Sequence, residues 1–127
     1  MEDRDLFKAK RIDNGEWEIG NLIILPNGKY IIANGYSNPP DVCIITHYLV
    51  DPSTICQCTG YKGIYEKDIF QCDDERYVIE WCDYSLCWEA QAIWSSESIS
   101  LGEFGLNEIV VIGNAIDNPE LLESEEN

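Results

Sequence analysis

The chain has 127 residues, 45% of them hydrophobic, and a formal net charge of −16 from 24 acidic and 8 basic residues. That suffices for one compact domain, or a small barrel with an appended hairpin layer, and it contains no run of 18 apolar residues that would cross a membrane as a helix. All eight Lys and Arg lie at or before Arg76, while residues 77–127 hold 11 acidic residues and neither Lys nor Arg, which argues against a phosphate backbone as direct ligand and leaves these carboxylates to water, counterions or a basic partner.

Residues 6–12 (LFKAKRI) alternate loosely and pass through Asp13-Asn14-Gly15 into 16–25 (EWEIGNLIIL). Asn-Gly supplies the positive φ angles of a tight hairpin, so two paired strands are predicted. Pro26-Asn27-Gly28 leads into 29–33 (KYIIA), completing a three-stranded meander. Residues 35–40 (GYSNPP) read as a loop, because Pro39 and Pro40 cannot donate ladder hydrogen bonds. The β-branched stretch 42–50 (VCIITHYLV) predicts a strand ended by Asp51-Pro52-Ser53. A short strand at 54–59 (TICQCT), a tight connection at 60–63 and the segment 64–72 (IYEKDIFQC) follow.

Residues 77–92 (YVIEWCDYSLCWEAQA) organise the second half. Alternation places Tyr77, Ile79 and Trp81 on one side of a strand, with Leu86, Trp88 and Ala90 on the matching side of its return and Asp83-Tyr84-Ser85 as the turn. Trp81 is then opposite Trp88, an aromatic pair contributing about 0.2–1 kcal/mol over an alanine pair. The same register sets Glu80 against Glu89. This hairpin is the expected seed of a small β-barrel. Residues 94–100 (WSSESIS) read as polar loop, with a short turn between Ser98 and Gly105, and 108–112 (EIVVI) as a buried strand closed by Gly113 and Asn114. Asn118 as N-cap, Pro119 and Glu120 signal one or two helical turns before the acidic end.

Several segments in order, FKAKR at 7–11, GEWEIG at 15–20, VDPST at 50–54 running to Gln57 and Thr59-Gly60, YEKDI at 65–69, and VIGN at 111–114 followed by NPELL at 118–122, resemble the YopX family of small phage and prophage proteins, mainly of Gram-positive bacteria. The resemblance spans most of the chain. It implies a β-rich N-terminal part, a C-terminal barrel similar to SH3-like barrels, and self-association, and it brings no established catalytic residues. The family usually has Glu-Gly-Asp where this chain has Glu66-Lys67-Asp68, which puts a tight turn there in question. It commonly carries Gly and an aromatic at Cys56 and Cys58, which argues against a family metal site there.

Six cysteines, Cys43, Cys56, Cys58, Cys72, Cys82 and Cys87, without a secretion signal read as reduced thiols of a cytoplasmic protein. Cys43, His47, Cys56 and Cys58 have ligand chemistry for zinc, but Cys-x-Cys on a strand lacks the chelating turn of a knuckle. His47 is the one histidine and has no nucleophile motif beside it. Glu66 and Asp68 have the chemistry of an acid/base pair, and the competing reading is a turn whose Asp accepts backbone amides. With no P-loop and no dinucleotide fingerprint, the expectation is a protein that is not an enzyme and takes no cofactor or metal.

The expected architecture is mainly β, with an N-terminal β-meander (1–60) packed on or next to a small SH3-like barrel (61–127) and a short C-terminal helical turn. Glu80, Asp83, Glu89, Glu97, Glu103 and Glu108 form the candidate acidic surface, imitating the phosphates of a nucleic acid. Its expected partner is a host or phage protein with a basic groove, such as a defence nuclease of the CRISPR effector kind, met in the host cytoplasm. Leu22, Ile24, Tyr30 and Ile32 offer an apolar face for self-association into a homo-oligomer. The competing expectation is a self-associating scaffolding protein with no inhibitory role. Neither direct nucleic-acid binding nor a membrane role is expected.

Overall fold

A computed structural model describes residues 6–38, 42–61 and 63–123. The chain divides into two compact units, Met1–Gly63 and Ile64–Asn127, and its two sheets are five-stranded and antiparallel. The protein is mainly β, as its turn signals and alternating apolar stretches predict.

In the first unit β1 (Phe7–Lys10), β2 (Trp17–Ile24), β3 (Tyr30–Asn38), β4 (Val42–Val50) and β5 (Cys56–Gln57) lie in the order β4-β3-β2-β1-β5. The predicted hairpin glycines adopt left-handed backbone, Gly15 at φ 74 and Gly28 at φ 84. Strand β2 serves two neighbours: Trp17 to Gly20 pair with β1, and Asn21 to Ile24 pair with β3. Gly20 stands where the pairing changes, and a Cβ there would run into the carbonyl of Ala33 and the side chain of Asn34. Ala9, Ile32 and Val50 form the buried core, with Phe7, Leu22, Tyr30 and Ile55 packed against it. At the far end Arg11 bridges to Val50, Ile12 N donates to Leu49 O (3.0 Å) and Asp51 N to Lys10 O (2.9 Å).

Two expectations change here. Residues 35–38 are not loop: β3 continues to Asn38, which pairs with Val42, because β4 offers a full-length antiparallel partner. The predicted loop residues Pro39 and Pro40 lie outside the described residues. The strand expected at 54–59 shrinks to Cys56–Gln57, since Pro52–Thr54 is a 3-10 turn. Asp51 caps that turn, accepting from Ser53 N (3.0 Å) and Oγ (2.8 Å), and Pro52 sits where no donor is required.

In the second unit β6 (Asp68–Cys72), β7 (Glu75–Cys82), β8 (Cys87–Ala92), β9 (Ser98–Ser100) and β10 (Val111–Asn114) take the order β10-β6-β7-β8-β9. Ile69, Phe70, Ile79, Ala90 and Leu101 are buried. Phe70 stacks on Tyr77 at 5.3 Å, and Phe104 meets both rings edge-on at 5.2 and 5.3 Å. Among the described residues no pairing joins β9 to β10, so the sheet is open.

The stretch expected as polar loop contains β9, whose Ile99 lies opposite Ala90. The last strand starts at Val111, later than expected, because Leu106–Glu108 forms a 3-10 turn. It is an edge strand with exposed Val111 and Ile112, so the expected burial fails. Pro119–Leu122 is the predicted C-terminal turn, of 3-10 type. Asn118 does not cap it with its side chain, which accepts from Asn114 N instead (3.2 Å).

Candidate protein-interaction surface

The β7–β8 hairpin carries the predicted register: Ile79 opposite Ala90, Glu80 opposite Glu89, Trp81 opposite Trp88, Cys82 opposite Cys87. Side chains alternate between faces. Tyr77, Ile79, Ala90 and Ala92 therefore enter the core, and all four are buried. Trp81 and Trp88 continue the same face beyond the core, packed edge to face at 5.3 Å and 74°. Trp81 is still 44% exposed, so the pair leaves ring surface to water.

Glu80 and Glu89 point to the opposite face, Glu80 exposed and Glu89 half-buried. Glu89 lies opposite Ser100 on its other side, and Lys67 reaches the strand beside Glu80, its N donating to Ile79 O (2.8 Å). Of the six predicted acidic residues, this is the pair that register makes direct neighbours. Asp83 is exposed in the adjoining turn. Glu97 is at the other end of β8, its carbonyl accepting from Ala92 N (2.9 Å). Glu103 is exposed in the 3-10 turn Leu101–Glu103. Glu108 turns back on its own loop, where its carboxylate accepts from Gly105 N (2.6 Å) and from the Cys72 thiol (3.9 Å).

The turn contains what the sequence reading missed. Pairing stops at Cys82 and Cys87, so Leu86 belongs to a four-residue turn and not to the return strand. Its backbone is left-handed at φ 55 and its side chain is 72% exposed, and Tyr84 is 97% exposed. The equal spacing of Cys82 and Cys87 from the Trp81–Trp88 rung was the available signal: it leaves four residues between the strands, Leu86 included.

Of the remaining candidates, Ile24 and His47 are exposed. Ile32 is buried in the first unit with Leu22 and Tyr30 against it, and Ile24 alone of the four proposed self-association residues is well exposed. His47 is exposed on β4, while the Cys56 and Cys58 thiols are buried and donate to the carbonyls of Thr54 (3.4 Å) and Tyr61 (3.5 Å). Asp68 is buried and its carboxylate accepts from Tyr65 N (2.9 Å), as the turn reading of Glu66 and Asp68 predicts. Lys8 and Lys10 lie over the Trp17 ring at 4.7 and 5.4 Å. Arg11 lies over Tyr48 and binds Asp13 at 2.7 Å, and that hydrogen bond holds the Asp13 carboxyl below its usual range.

Two groups of the second unit are held in their protonated forms. Desolvation first, then the charges of Asp73 and Glu108, push the Cys72 thiol above its ordinary value. Desolvation and Glu75 do the same to the Tyr77 hydroxyl. Both groups stay protonated at neutral pH, and only the thiolate of a cysteine is an effective nucleophile.

The family model described as YopX protein matches residues 6–123. No curated protein and no solved structure matches the chain.

Proposed function

Since the chain belongs to the YopX family, matched across both of its sheets, we propose that it is a non-enzymatic phage or prophage accessory protein of the host cytoplasm that binds and inhibits a nucleic-acid-handling host protein through its acidic unit. Residues 64–127 carry 16 Asp and Glu against 2 Lys and Arg, a balance of −14, whereas residues 1–63 carry 8 against 6, a balance of −2. Arg76, one of those two cations, stacks on Trp94 at 5.0 Å and donates to Leu121 O at 3.3 Å. The observation that carries the proposal is the Glu80–Glu89 rung. Like charges directly opposite one another cost stability, so their retention on an exposed face fits a role in binding. We read the second unit as an SH3-like module, because its fifth strand lies beside its first and a 3-10 turn precedes that fifth strand.

The test is binding to a partner captured from nuclease-treated host lysate and then purified. Affinity should fall steeply between low and high salt, since the Debye length contracts from about 10 Å at 0.1 M to about 3 Å at 1 M. Bound nucleic acid should exclude the protein. Glu80→Lys with Glu89→Lys should slow association without loss of folding. Unchanged affinity and salt dependence in that double variant would refute the reading.

A second reading, a self-associating scaffold, is favoured by β4. It is the terminal strand of its sheet and carries no Asp, Glu, Lys or Arg over nine residues. Ile12 and Arg11 engage this edge at Leu49 and Val50, and before them it has no partner strand among the described residues and is open to strand addition.

A further inference from the structure

The tip of the β7–β8 hairpin presents apolar surface that the fold does not use. Tyr84 is 97% and Leu86 72% exposed, and Trp81 keeps nearly half of its surface in water. A leucine held at φ 55 and turned into solvent does nothing for the packing of its own sheet. Exposed aromatic and aliphatic side chains grouped in this way mark contact sites. Glu80, Asp83 and Glu89 lie within the same ten residues, with no Lys or Arg among them, and Lys67 meets this strand at Ile79, away from the tip.

The order along the chain narrows the partner. Glu80-Trp81, Asp83-Tyr84 and, reversed, Trp88-Glu89 are three pairings of one carboxylate with one ring. A single-stranded nucleic acid has the same repeat, one negative charge and one flat ring per nucleotide, both open to a protein. A duplex hides its rings in the stack, and a duplex imitation would have no use for exposed tryptophan and tyrosine. Proteins that bind single strands combine a Lys- and Arg-lined track with aromatic platforms for the bases.

We infer that the hairpin tip imitates a short single strand and docks in the single-strand groove of a nucleic-acid-binding protein, with Trp81 and Tyr84 in base positions and Glu80, Asp83 and Glu89 in phosphate positions. This rests on the reading of the acidic unit as a nucleic-acid imitation, and it adds the class of groove and the contribution of the rings.

Two probes test it by fluorescence anisotropy: a single-strand binder of the oligonucleotide-binding fold holding a fluorescein-labelled thymidine oligomer, and a helix-turn-helix protein holding its labelled duplex site. The full chain should displace the strand at a concentration at least about tenfold lower than it needs for the duplex, since one base stack changes binding by roughly tenfold or more. Tyr84→Ser with Leu86→Ser, at two exposed positions outside the core, should raise the concentration needed by a similar factor and leave the salt slope alone. Glu80→Gln with Glu89→Gln should flatten the slope. If the tip variant competes as well as the natural chain while the glutamine variant fails, the rings are bystanders, the inference falls and the acidic reading stands. Equal displacement of the duplex, or no displacement of the strand, also overturns the inference and leaves the acidic reading to the charge-reversal experiment.

Discussion

Lys67 holds a backbone conformation in which a side chain is a liability. It lies at φ 72 in the turn between Tyr65 and Asp68, where its Cβ crowds the following carbonyl at a cost of about 1–2 kcal/mol. The turn persists because it is tied at three points: Lys67 N donates to Ile79 O (2.8 Å), Asp68 N to Tyr65 O (3.1 Å), and Tyr65 N to the buried Asp68 carboxylate (2.9 Å). Lys67→Gly should therefore stabilise the protein by about 0.5–1 kcal/mol in urea denaturation, the strain relieved being offset in part by the added freedom of the unfolded chain. A loss of stability would show that the lysine stem is needed for packing. The chemistry of this turn was legible in Asp68, whose type favours accepting backbone amides. Its survival without glycine was not, because the bond to Ile79 comes from a strand twelve residues away in sequence.

Strand β2 depends on one residue that keeps two pairings compatible. Gly20 lets the backbone of β3 approach so closely that any Cβ would meet the Ala33 carbonyl. Gly20→Ala should destabilise the first unit by about 1–3 kcal/mol, the usual cost of forcing atoms into an occupied site, read as a lower denaturation midpoint. Unchanged stability would mean that β3 can move away freely. At this scale the sequence was most informative where turn chemistry and alternation agreed: the glycine hairpins of the first unit, the whole of β4, and the register of β7 with β8. It was least informative for β9, whose three residues include one aliphatic side chain and owe their strand geometry to pairing with Glu89, Ala90 and Gln91. The extension of β3 through Gly35 was hidden for the same reason, since the partner β4 supplies what local propensity withholds.

Across the molecule, charge is divided unequally, −14 on the second unit against −2 on the first. Association between copies is therefore least opposed through the first unit, and the scaffold reading proposed above would place it at the part of the β4 edge that Arg11 and Ile12 leave open. Light scattering at tens of micromolar should report an oligomer that Ile45→Lys, on an exposed position of that strand, returns to monomer. A natural chain that is monomeric throughout would remove β4 as an interface. The second unit behaves differently again, because sixteen carboxylates with so few internal cations must hold an atmosphere of sodium or potassium close to the surface. A basic protein that docks there releases those ions into bulk solution, so the gain is in the entropy of small ions. Calorimetry of the complex would then record little heat, and the logarithm of affinity would fall linearly with the logarithm of salt concentration, with a slope counting the ions set free.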